Sequence, residues 1–309
     1  MDQTVSAYRI GIDLGGTKVA AILLDPQGAS VWSGRTHTPK NDYDATIQAI
    51  AGLVREATEH SPTPPKVGVC IPGSLAPSTG CVQNANATWI NGRPLGRDLE
   101  IAVNRPVRVA NDANCFALSE WVDGAAAGAD TVFGVIIGTG VGGGLVHHGR
   151  IVNGPMSTGG EWGHLPLPWP TADEFPGPLC WCGRRSCMEQ WVSGPALEKD
   201  YAQRSGSKLS AREIITNRAT DPIAEDVLTA YASRLARGLS MIVTLFDPDV
   251  VVLGGGLSNM SYLYDALPPL IKPHLFTSDP NVDIRPPKFG DASGVRGAAW
   301  LWERENTVI

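Results

Sequence analysis

The sequence has little charge for its length and no concentration of basic residues. Charged residues make up 18% of its 309 residues, and 31 Asp and Glu outnumber 25 Lys and Arg, which gives a formal net charge of −6. Nucleic acids and anionic membranes are both recognised through basic patches. The composition therefore argues against nucleic acid and membrane partners and favours a small-molecule substrate.

Long apolar runs are also absent. No stretch approaches the roughly 20 apolar residues of a membrane-spanning helix, and residues 1–7 have neither the basic start nor the apolar core of a signal peptide. We therefore expect a cytoplasmic protein. A chain of this length, with 43% apolar residues, can form two domains with their own cores.

Cysteine is scarce, and half of it is concentrated in one segment. Three of the six cysteines lie far apart, whereas Cys180, Cys182 and Cys187 fall within eight residues. In a reducing compartment such crowding favours a metal site over a disulfide. His164 precedes this group by sixteen residues and completes four ligands for a tetrahedral structural zinc. The alternative is a structural histidine among buried cysteines.

Two glutamates bracket this candidate metal site. Glu161 begins the segment Glu161-Trp162-Gly163-His164, and Glu189 follows the last cysteine by two positions. Four protein ligands leave a zinc ion no open position, so the metal would be structural and not catalytic. Its role would be to fix the loops that carry the two acidic side chains.

Glycine is plentiful, and it recurs in turns between apolar strands. Tyr8 to Ile12 is followed by Asp13-Leu14-Gly15-Gly16-Thr17-Lys18 and a returning strand from Val19 to Leu24. Glycines let backbone amides approach an anion, Thr17 adds a hydroxyl, and Asp13 could hold Mg²⁺ through water. The alternative is a tight hairpin turn without a ligand.

A second glycine turn repeats this arrangement about a hundred residues later. The strand 131–137 runs into Gly138-Thr139-Gly140-Val141-Gly142-Gly143-Gly144, and residues 145–148 form the returning strand. The repetition predicts a duplicated architecture with a phosphate between the halves. A further run, Gly254-Gly255-Gly256, follows the buried strand 250–253. No helix follows the second turn and no Walker A motif is present, so neither a Rossmann nor a P-loop site is predicted.

Polar residues follow two further strands. The strand 67–71 ends in Pro72-Gly73-Ser74, where open α/β sheets bind ligands. The strand 107–110 runs into Asn111-Asp112-Ala113-Asn114 at the start of a helix, so Asp112 is either an N-cap or a base for a substrate hydroxyl. The segment 83–89, which contains Asn86, is either a surface loop or a binding loop. Together these features fit phosphate transfer from a nucleotide to an alcohol.

These motifs, in this order and spacing, resemble the ROK family of sugar kinases. The resemblance covers nearly the whole chain and implies an α/β protein with the actin-like, ribonuclease-H-like ATPase fold, two domains and a duplicated core. It also implies ATP and Mg²⁺ bound at the glycine turns, with Asp112 as general base. The implied sugar-binding residues are Asn86, Asn111, Glu161, His164 and Glu189, and the implied zinc ligands are His164, Cys180, Cys182 and Cys187.

The expected domains are residues 1–112 and 113–293, the second carrying the zinc loop 161–189, with a final helix 294–309 packed back on the first. Helices are also expected at 43–60, 195–204, 209–218, 222–245 and 263–271. The family's cysteine motif, Cys-x-Cys-Gly-x-x-Gly-Cys-x-Glu, has Ser186 in place of its second glycine. Serine adopts positive φ less readily than glycine.

Within the family, the segments 84–92 and 123–129 look most like bacterial fructokinases that also accept mannose. The expected reaction is phosphorylation of the 6-hydroxyl of a free hexose, with fructose first and mannose or glucose also accepted. The alternative is an N-acetylglucosamine or N-acetylmannosamine kinase. A homodimer is expected from the resemblance. A sugar-responsive repressor is disfavoured, because only twelve residues precede Asp13, too few for a helix-turn-helix domain.

Overall fold

The computed structural model describes residues 7–302. Its strands are β1 (Arg9–Leu14), β2 (Lys18–Leu24), β3 (Ser30–His37), β4 (Lys66–Ile71), β5 (Ser74–Leu75), β6 (Val82–Gln83), β7 (Val107–Asn111), β8 (Thr131–Ile137), β9 (Val141–His147), β10 (Arg150–Ile151), β11 (Val250–Gly254) and β12 (Ile284–Arg285). Its α-helices are α1 (Tyr43–Glu59), α2 (Leu95–Val103), α3 (Asp112–Val122), α4 (Glu189–Val192), α5 (Gly194–Ser205), α6 (Ala211–Thr216), α7 (Pro222–Phe246), α8 (Tyr262–Ile271) and α9 (Ser293–Trp300).

Two five-stranded sheets share one strand order. The first runs β3-β2-β1-β4-β7 and the second β10-β9-β8-β11-β12. In the first sheet β2 is antiparallel to both β1 and β3, whereas β4 is parallel to both β1 and β7. In the second sheet β11 is likewise parallel to β8 and β12. The equal order confirms the predicted duplication.

The chain divides into two compact units. One contains the chain up to Gly128, Gly144–Gly160 and the chain from Lys288, and the other contains Ala129–Gly143 and Glu161–Pro287. This grouping differs from a division at residue 112, because α3 packs against α9 within the first unit. α9 starts one residue before the predicted final helix and ends at Trp300, where a turn follows, and it also contacts β1. Residues 303–309 of that prediction lie outside the described residues.

The first unit has an apolar core between its sheet and α1. Ile10 and Ile12 of β1 are buried with Ile47 and Ile50 of α1, at the helical spacing that predicted one apolar face. The Asp42 side chain caps α1 by accepting from the Ala45 N–H. α1 therefore begins at Tyr43, as predicted, and it ends at Glu59, one residue before the predicted end.

The second unit is organised around α7 and two buried strands. α7 begins after the cap Asp221, as predicted, and buries Leu235 and Leu239 among other apolar residues. Every residue of β11 is buried, and its neighbour β8 is buried except at two positions. This is the near-continuous apolar pattern of parallel strands covered on both faces.

Buried charges attach the segment before the cysteine cluster to α7. Arg234 and Arg237 donate to the Glu174 carboxylate at 2.8 to 2.9 Å, and Arg234 also donates to Asp200 at 2.6 Å. Burial alone would raise the pKa of Glu174, but the hydrogen bonds from Arg237 and Arg234 outweigh it and bring that pKa to about 2. The carboxylate therefore stays ionised and paired.

Three local features differ from the sequence predictions. β3 was not predicted, because it is an edge strand whose residues are mostly exposed and give no apolar alternation. α2 was not predicted either, since its nine residues bury only two side chains. The returning strand β9 starts at Val141 instead of residue 145. A Cβ at its Gly143 would lie 2.7 Å from the rings of Phe133 and Trp162, so this part of the strand is glycine and shows no apolar pattern.

None of the helices in residues 7–302 combines the length and the apolar character that crossing a membrane would require.

Candidate active site

In the first unit, three neighbouring parallel strands end at one edge of the sheet. Asp13 of β1 is in register with Cys70 of β4, and Ile71 of β4 is in register with Asn111 of β7. The turn at Gly73 directly follows β4. The predicted cation ligand, the turn after β4 and the Asn111-Asp112 pair are thus brought to the same edge, where sheets of this kind bind ligands.

The helix cap at this edge is Asn111 and not Asp112. The Asn111 Oδ1 accepts from the backbone N–H groups of Ala113 and Asn114 at 2.9 and 3.3 Å, and its Nδ2 donates to the Gly73 carbonyl at 3.0 Å. Asp112 is the first helical residue, and its Oδ1 accepts from the Ala113 N–H at 2.8 Å. The N-cap interpretation of Asp112 is therefore wrong, and its carboxylate stands at the strand-to-helix junction.

Asp13 is held at the base of the first glycine turn. The Cys70 thiol donates to its Oδ1 at 3.3 Å. Burial raises the pKa of Asp13, while the Cys70 hydrogen bond and the charge of Lys18 act in the opposite direction. The turn itself is closed by the Gly15 N–H, which donates to the Lys18 carbonyl at 3.0 Å, and Gly16, Thr17 and Lys18 are exposed.

The loop that carries Asn86 is closed by a side chain. The Asn91 amide both accepts from the Ala85 N–H and donates to the Ala85 carbonyl, each at 2.9 Å. The Trp89 indole N–H donates to the Thr46 hydroxyl at 3.3 Å. Asn86 itself is exposed on this ordered loop. The loop therefore presents Asn86 from a backbone fixed by Asn91.

In the second unit, the second glycine turn lies beside the third glycine run. Gly254 is in register with Ile136 of β8, one residue from the end of that strand. The Gly138 N–H donates to the Gly140 carbonyl at 3.0 Å, and the Gly138 carbonyl accepts from the Gly194 N–H at 2.7 Å. Two of the segments predicted to bind phosphate are therefore adjacent within this unit.

Glu189, at the start of α4, joins the second turn to the cysteine cluster. Its Oε2 accepts from the Val141 N–H at 3.1 Å, and its Oε1 accepts from the Trp181 indole N–H at 2.7 Å. Both carboxylate oxygens are thus fixed by donors from different segments. Such a carboxylate is preorganised to accept from a ligand hydroxyl with its remaining lone pairs.

The segment from Glu161 to His164 lies against strand β9. The Trp162 indole N–H donates to the Gly142 carbonyl at 2.8 Å, and a Cβ at Gly163 would be 2.0 Å from the Val141 carbonyl oxygen. Only glycine permits that backbone contact. Burial raises the pKa of Glu161, the His164 ring lowers it, and the Glu189 charge raises it further. The two glutamates therefore influence each other electrostatically.

The four predicted metal ligands come together. The ligand atoms of His164, Cys180, Cys182 and Cys187 all lie within 4.8 Å of one another. The distance between His164 Nδ1 and Cys180 Sγ is 3.7 Å, and that between the Sγ atoms of Cys182 and Cys187 is 3.6 Å. Sulfurs bound tetrahedrally to one zinc lie about 3.8 Å apart. The residues present therefore fit zinc, with His164 facing it through Nδ1.

Two features of the cysteine loop, the state of its thiols and the backbone at Ser186, agree with the cysteine motif. Against the effect of burial, hydrogen bonds from Arg184 and the neighbouring thiols lower the pKa of Cys182, whereas burial and the neighbouring thiols raise the pKa of Cys187. Arg184 therefore favours the thiolate form of Cys182. Ser186 has φ +62, so it adopts the left-handed conformation for which the motif normally uses glycine. Its hydroxyl accepts from the Trp191 indole N–H at 3.2 Å.

Sequence reasoning missed Trp181 and Asn91. The signal for Trp181 was its place between two cysteines of the candidate metal cluster, where a large aromatic side chain needs a partner. The signal for Asn91 was a polar side chain near Gly92, where the loop must turn. Neither contact could be located without the loop conformation.

The ROK family model matches residues 9–305. An N-acetyl-D-glucosamine kinase of Haemophilus influenzae (strain 86-028NP) is 39% identical over 298 residues, which cover 94% of this chain and 98% of that protein.

Two solved structures share the fold over nearly the full length. A ROK hexokinase from Thermus thermophilus superposes with a TM-score of 0.84 at 33% identity and covers 95% of this chain and 97% of that one. A ROK family glucokinase from Streptomyces griseus, in complex with glucose and AMPPNP, has a TM-score of 0.77 at 29% identity and covers 94% and 98%. With the two sheets described above, these likenesses confirm the predicted actin-like α/β fold.

Proposed function

The chain belongs to the ROK family, and on that premise we propose that it is an ATP-dependent sugar kinase whose preferred acceptor is N-acetylglucosamine. The relative from Haemophilus influenzae is named for that sugar and matches over 94% of the chain. The fructose preference expected from two short segments finds no support among these relatives. We therefore place N-acetylglucosamine first.

The chemistry assigned to Asp112 is general base catalysis. Its carboxylate accepts the proton of the acceptor 6-hydroxyl as that oxygen bonds to the γ-phosphorus of ATP, and ADP leaves. Phosphoryl transfer passes through a loose transition state, so positioning matters more than an unusual pKa of the base. The observation that carries this assignment is that Asn111, not Asp112, caps α3.

The glycine turns are assigned to the nucleotide. Exposed backbone at Gly16, Thr17 and Lys18, in the turn that the half-buried Gly15 closes, would contact phosphate oxygens, as would the segments 138–140 and 254–256 of the second unit. Asp13 would hold Mg²⁺, through water, at the base of the first turn. The metal would neutralise charge on the transferring phosphate.

The remaining polar residues are assigned to the sugar, which is recognised through hydroxyl hydrogen bonds. The proposed set is Gly73, Asn86, Asn111, Glu161, His164 and Glu189. Zinc on His164, Cys180, Cys182 and Cys187 would fix the loop that positions part of this set and would take no part in the chemistry. The predicted homodimer remains a proposal, which sedimentation of the purified protein would test.

The test is an ADP-release assay with ATP and Mg²⁺ over N-acetylglucosamine, N-acetylmannosamine, glucose, mannose and fructose. We expect the highest kcat/KM with N-acetylglucosamine. A higher value with fructose would restore the fructokinase hypothesis. Turnover on none of the five sugars would contradict the kinase assignment itself.

A further inference from the structure

Trp181 is an exposed aromatic side chain held in one orientation. It lies between the metal-ligand residues Cys180 and Cys182, and 67% of its surface is accessible. Tryptophan is enriched at binding surfaces, where its ring is apolar and its N–H can donate. Within the second unit this ring is also anchored, which an incidental surface tryptophan would not require.

The anchor is a hydrogen bond to a carboxylate already assigned to the sugar. The Trp181 Nε1 donates to Glu189 Oε1 at 2.7 Å, while the other oxygen of Glu189 accepts from the Val141 N–H. Two donors on two oxygens leave this carboxylate little rotational freedom. The indole therefore determines which lone pairs of Glu189 point away from the protein.

The same ring borders the histidine of the cluster. The ring centroids of Trp181 and His164 are 5.0 Å apart at an interplanar angle of 82°, an edge-to-face contact. The indole thus touches both a residue of the metal cluster and a proposed sugar ligand. Its exposed surface adjoins the polar groups that would bind hydroxyls. The C–H surface of a sugar ring is apolar, and an aromatic face is a suitable surface for it.

We propose that Trp181 positions Glu189 through its indole N–H and packs its ring against the apolar C–H surface of the acceptor sugar. The inference rests on the proposed function, because it takes Glu189 as a sugar ligand. In this account Trp181 is a positioning and affinity residue and takes no part in proton or phosphoryl transfer.

The experiment separates the two contributions with Trp181→Phe and Trp181→Ala. Phenylalanine keeps an aromatic surface but loses the donor, whereas alanine loses both. Leu179→Ala, at an exposed neighbouring position of the same loop, is the matched control. Sugar affinity is measured by calorimetry with N-acetylglucosamine, alongside kcat and KM and the zinc content of each variant.

We expect Trp181→Phe to weaken sugar binding about tenfold, the effect of losing one hydrogen bond to a charged group. Trp181→Ala should weaken it about fivefold further, through lost apolar contact. Both should act on KM and leave kcat within about twofold, since the contacts are equal in ground and transition states. Leu179→Ala should bind like the wild type.

Unchanged affinity in Trp181→Phe, with zinc content equal to that of the wild type, would overturn the positioning role. Equal affinities of the Phe and Ala variants would overturn the packing role.

If Trp181→Ala loses zinc, Trp181→Tyr replaces it, because tyrosine keeps an aromatic ring and can restore a donor to Glu189. Affinity restored by tyrosine relative to phenylalanine supports the proposal, and no restoration contradicts it. A wild type that binds the sugar but phosphorylates none would defeat the proposed function and leave this test intact.

Discussion

The two glycine turns occupy the same place in two sheets of equal strand order, yet they are supported differently. The first turn obtains its carboxylate from its own strand, two residues before Gly15, where Asp13 lies in β1. The corresponding residue of the second turn, two before Gly138, is Ile136. There the carboxylate is supplied by Glu189, which accepts from the Val141 N–H.

The difference shows how two sheets of equal strand order can take on different roles. A carboxylate built into the strand and partnered by a buried thiol suits a cation that is present in every cycle. A carboxylate brought in from the cysteine loop makes the second turn depend on that loop's conformation. Damage to the loop should therefore affect ligand binding in the second unit and spare the chemistry assigned to the first.

The largest effect should come from the base proposed in the first unit. Asp112→Asn would remove the proposed proton acceptor and should lower kcat by about 10² to 10⁴, while calorimetry should show sugar affinity within about threefold. Asp44→Asn, an exposed carboxylate of α1, is the control and should turn over normally. Near wild-type turnover in Asp112→Asn would remove Asp112 from the mechanism.

Loss of the metal should affect the second glycine turn, whose carboxylate comes from the cysteine loop. We expect about one zinc per chain, and Cys182→Ser should lose it, weaken sugar binding more than tenfold and lower the thermal midpoint. Cys81→Ser, outside the cluster, should keep both metal and affinity. Elemental analysis that finds no zinc in the wild type, together with unchanged affinity in Cys182→Ser, would contradict the zinc site.

The buried ion network should make stability depend on acid. The pKa of Glu174 is about 2 in the folded protein and near 4.5 when unfolded, so its stabilisation is complete above pH 4.5 and is lost as the pH falls toward 2. Glu174→Gln should cost about 2 to 4 kcal/mol at pH 7, because Arg234 and Arg237 lose their ionised partner. It should also flatten this acid dependence.

Urea unfolding of the wild type and of Glu174→Gln at pH 7, 4.5 and 3 would measure both effects. Glu225→Gln is the control, since its pair with Arg218 is partly exposed and should contribute less than about 1 kcal/mol. Parallel pH curves for the wild type and Glu174→Gln would show that the network does not set the acid response.

The smallest effect compares the two turns directly. A Cβ at Gly140 would be 2.9 Å from Glu189 Oε2, whereas a Cβ at Gly16 meets nothing within 4 Å. Gly140→Ala should therefore displace the carboxylate and raise the sugar KM about tenfold, the cost of one weakened charged hydrogen bond. Gly16→Ala should leave it unchanged. Equal KM values for the two variants would remove the proposed difference between the turns.

The framework could be predicted because its signals are local and repeated. A buried strand, a glycine turn and a returning strand occur twice in the sequence, and their repetition was enough to predict the duplication. The grouping of His164, Cys180, Cys182 and Cys187 was predictable from their spacing and chemical type. β3 and α2 were not, because an exposed edge strand and a short helix with two buried side chains leave little periodic pattern.

The places of the candidate residues at strand ends and turns could be predicted, but their contacts could not. Asn111 and Asp112 are equally good helix caps, so the choice between them depended on the backbone at the end of β7. The bond between Trp181 and Glu189 depends on how the cysteine loop folds. The acceptor could not be fixed from the sequence because a few hydrogen bonds separate one hexose from another.

The backbone contact at Gly163 has a consequence for mutational tolerance. Even alanine would place its Cβ 2.0 Å from a carbonyl oxygen of β9, and backbone cannot yield as a flexible side chain can. In a saturation library this position should behave as all-or-none, with every substitution failing regardless of size or polarity. Its intolerance would therefore report backbone packing, whereas intolerance at Glu161 and His164 would report the ligand contacts proposed for those side chains.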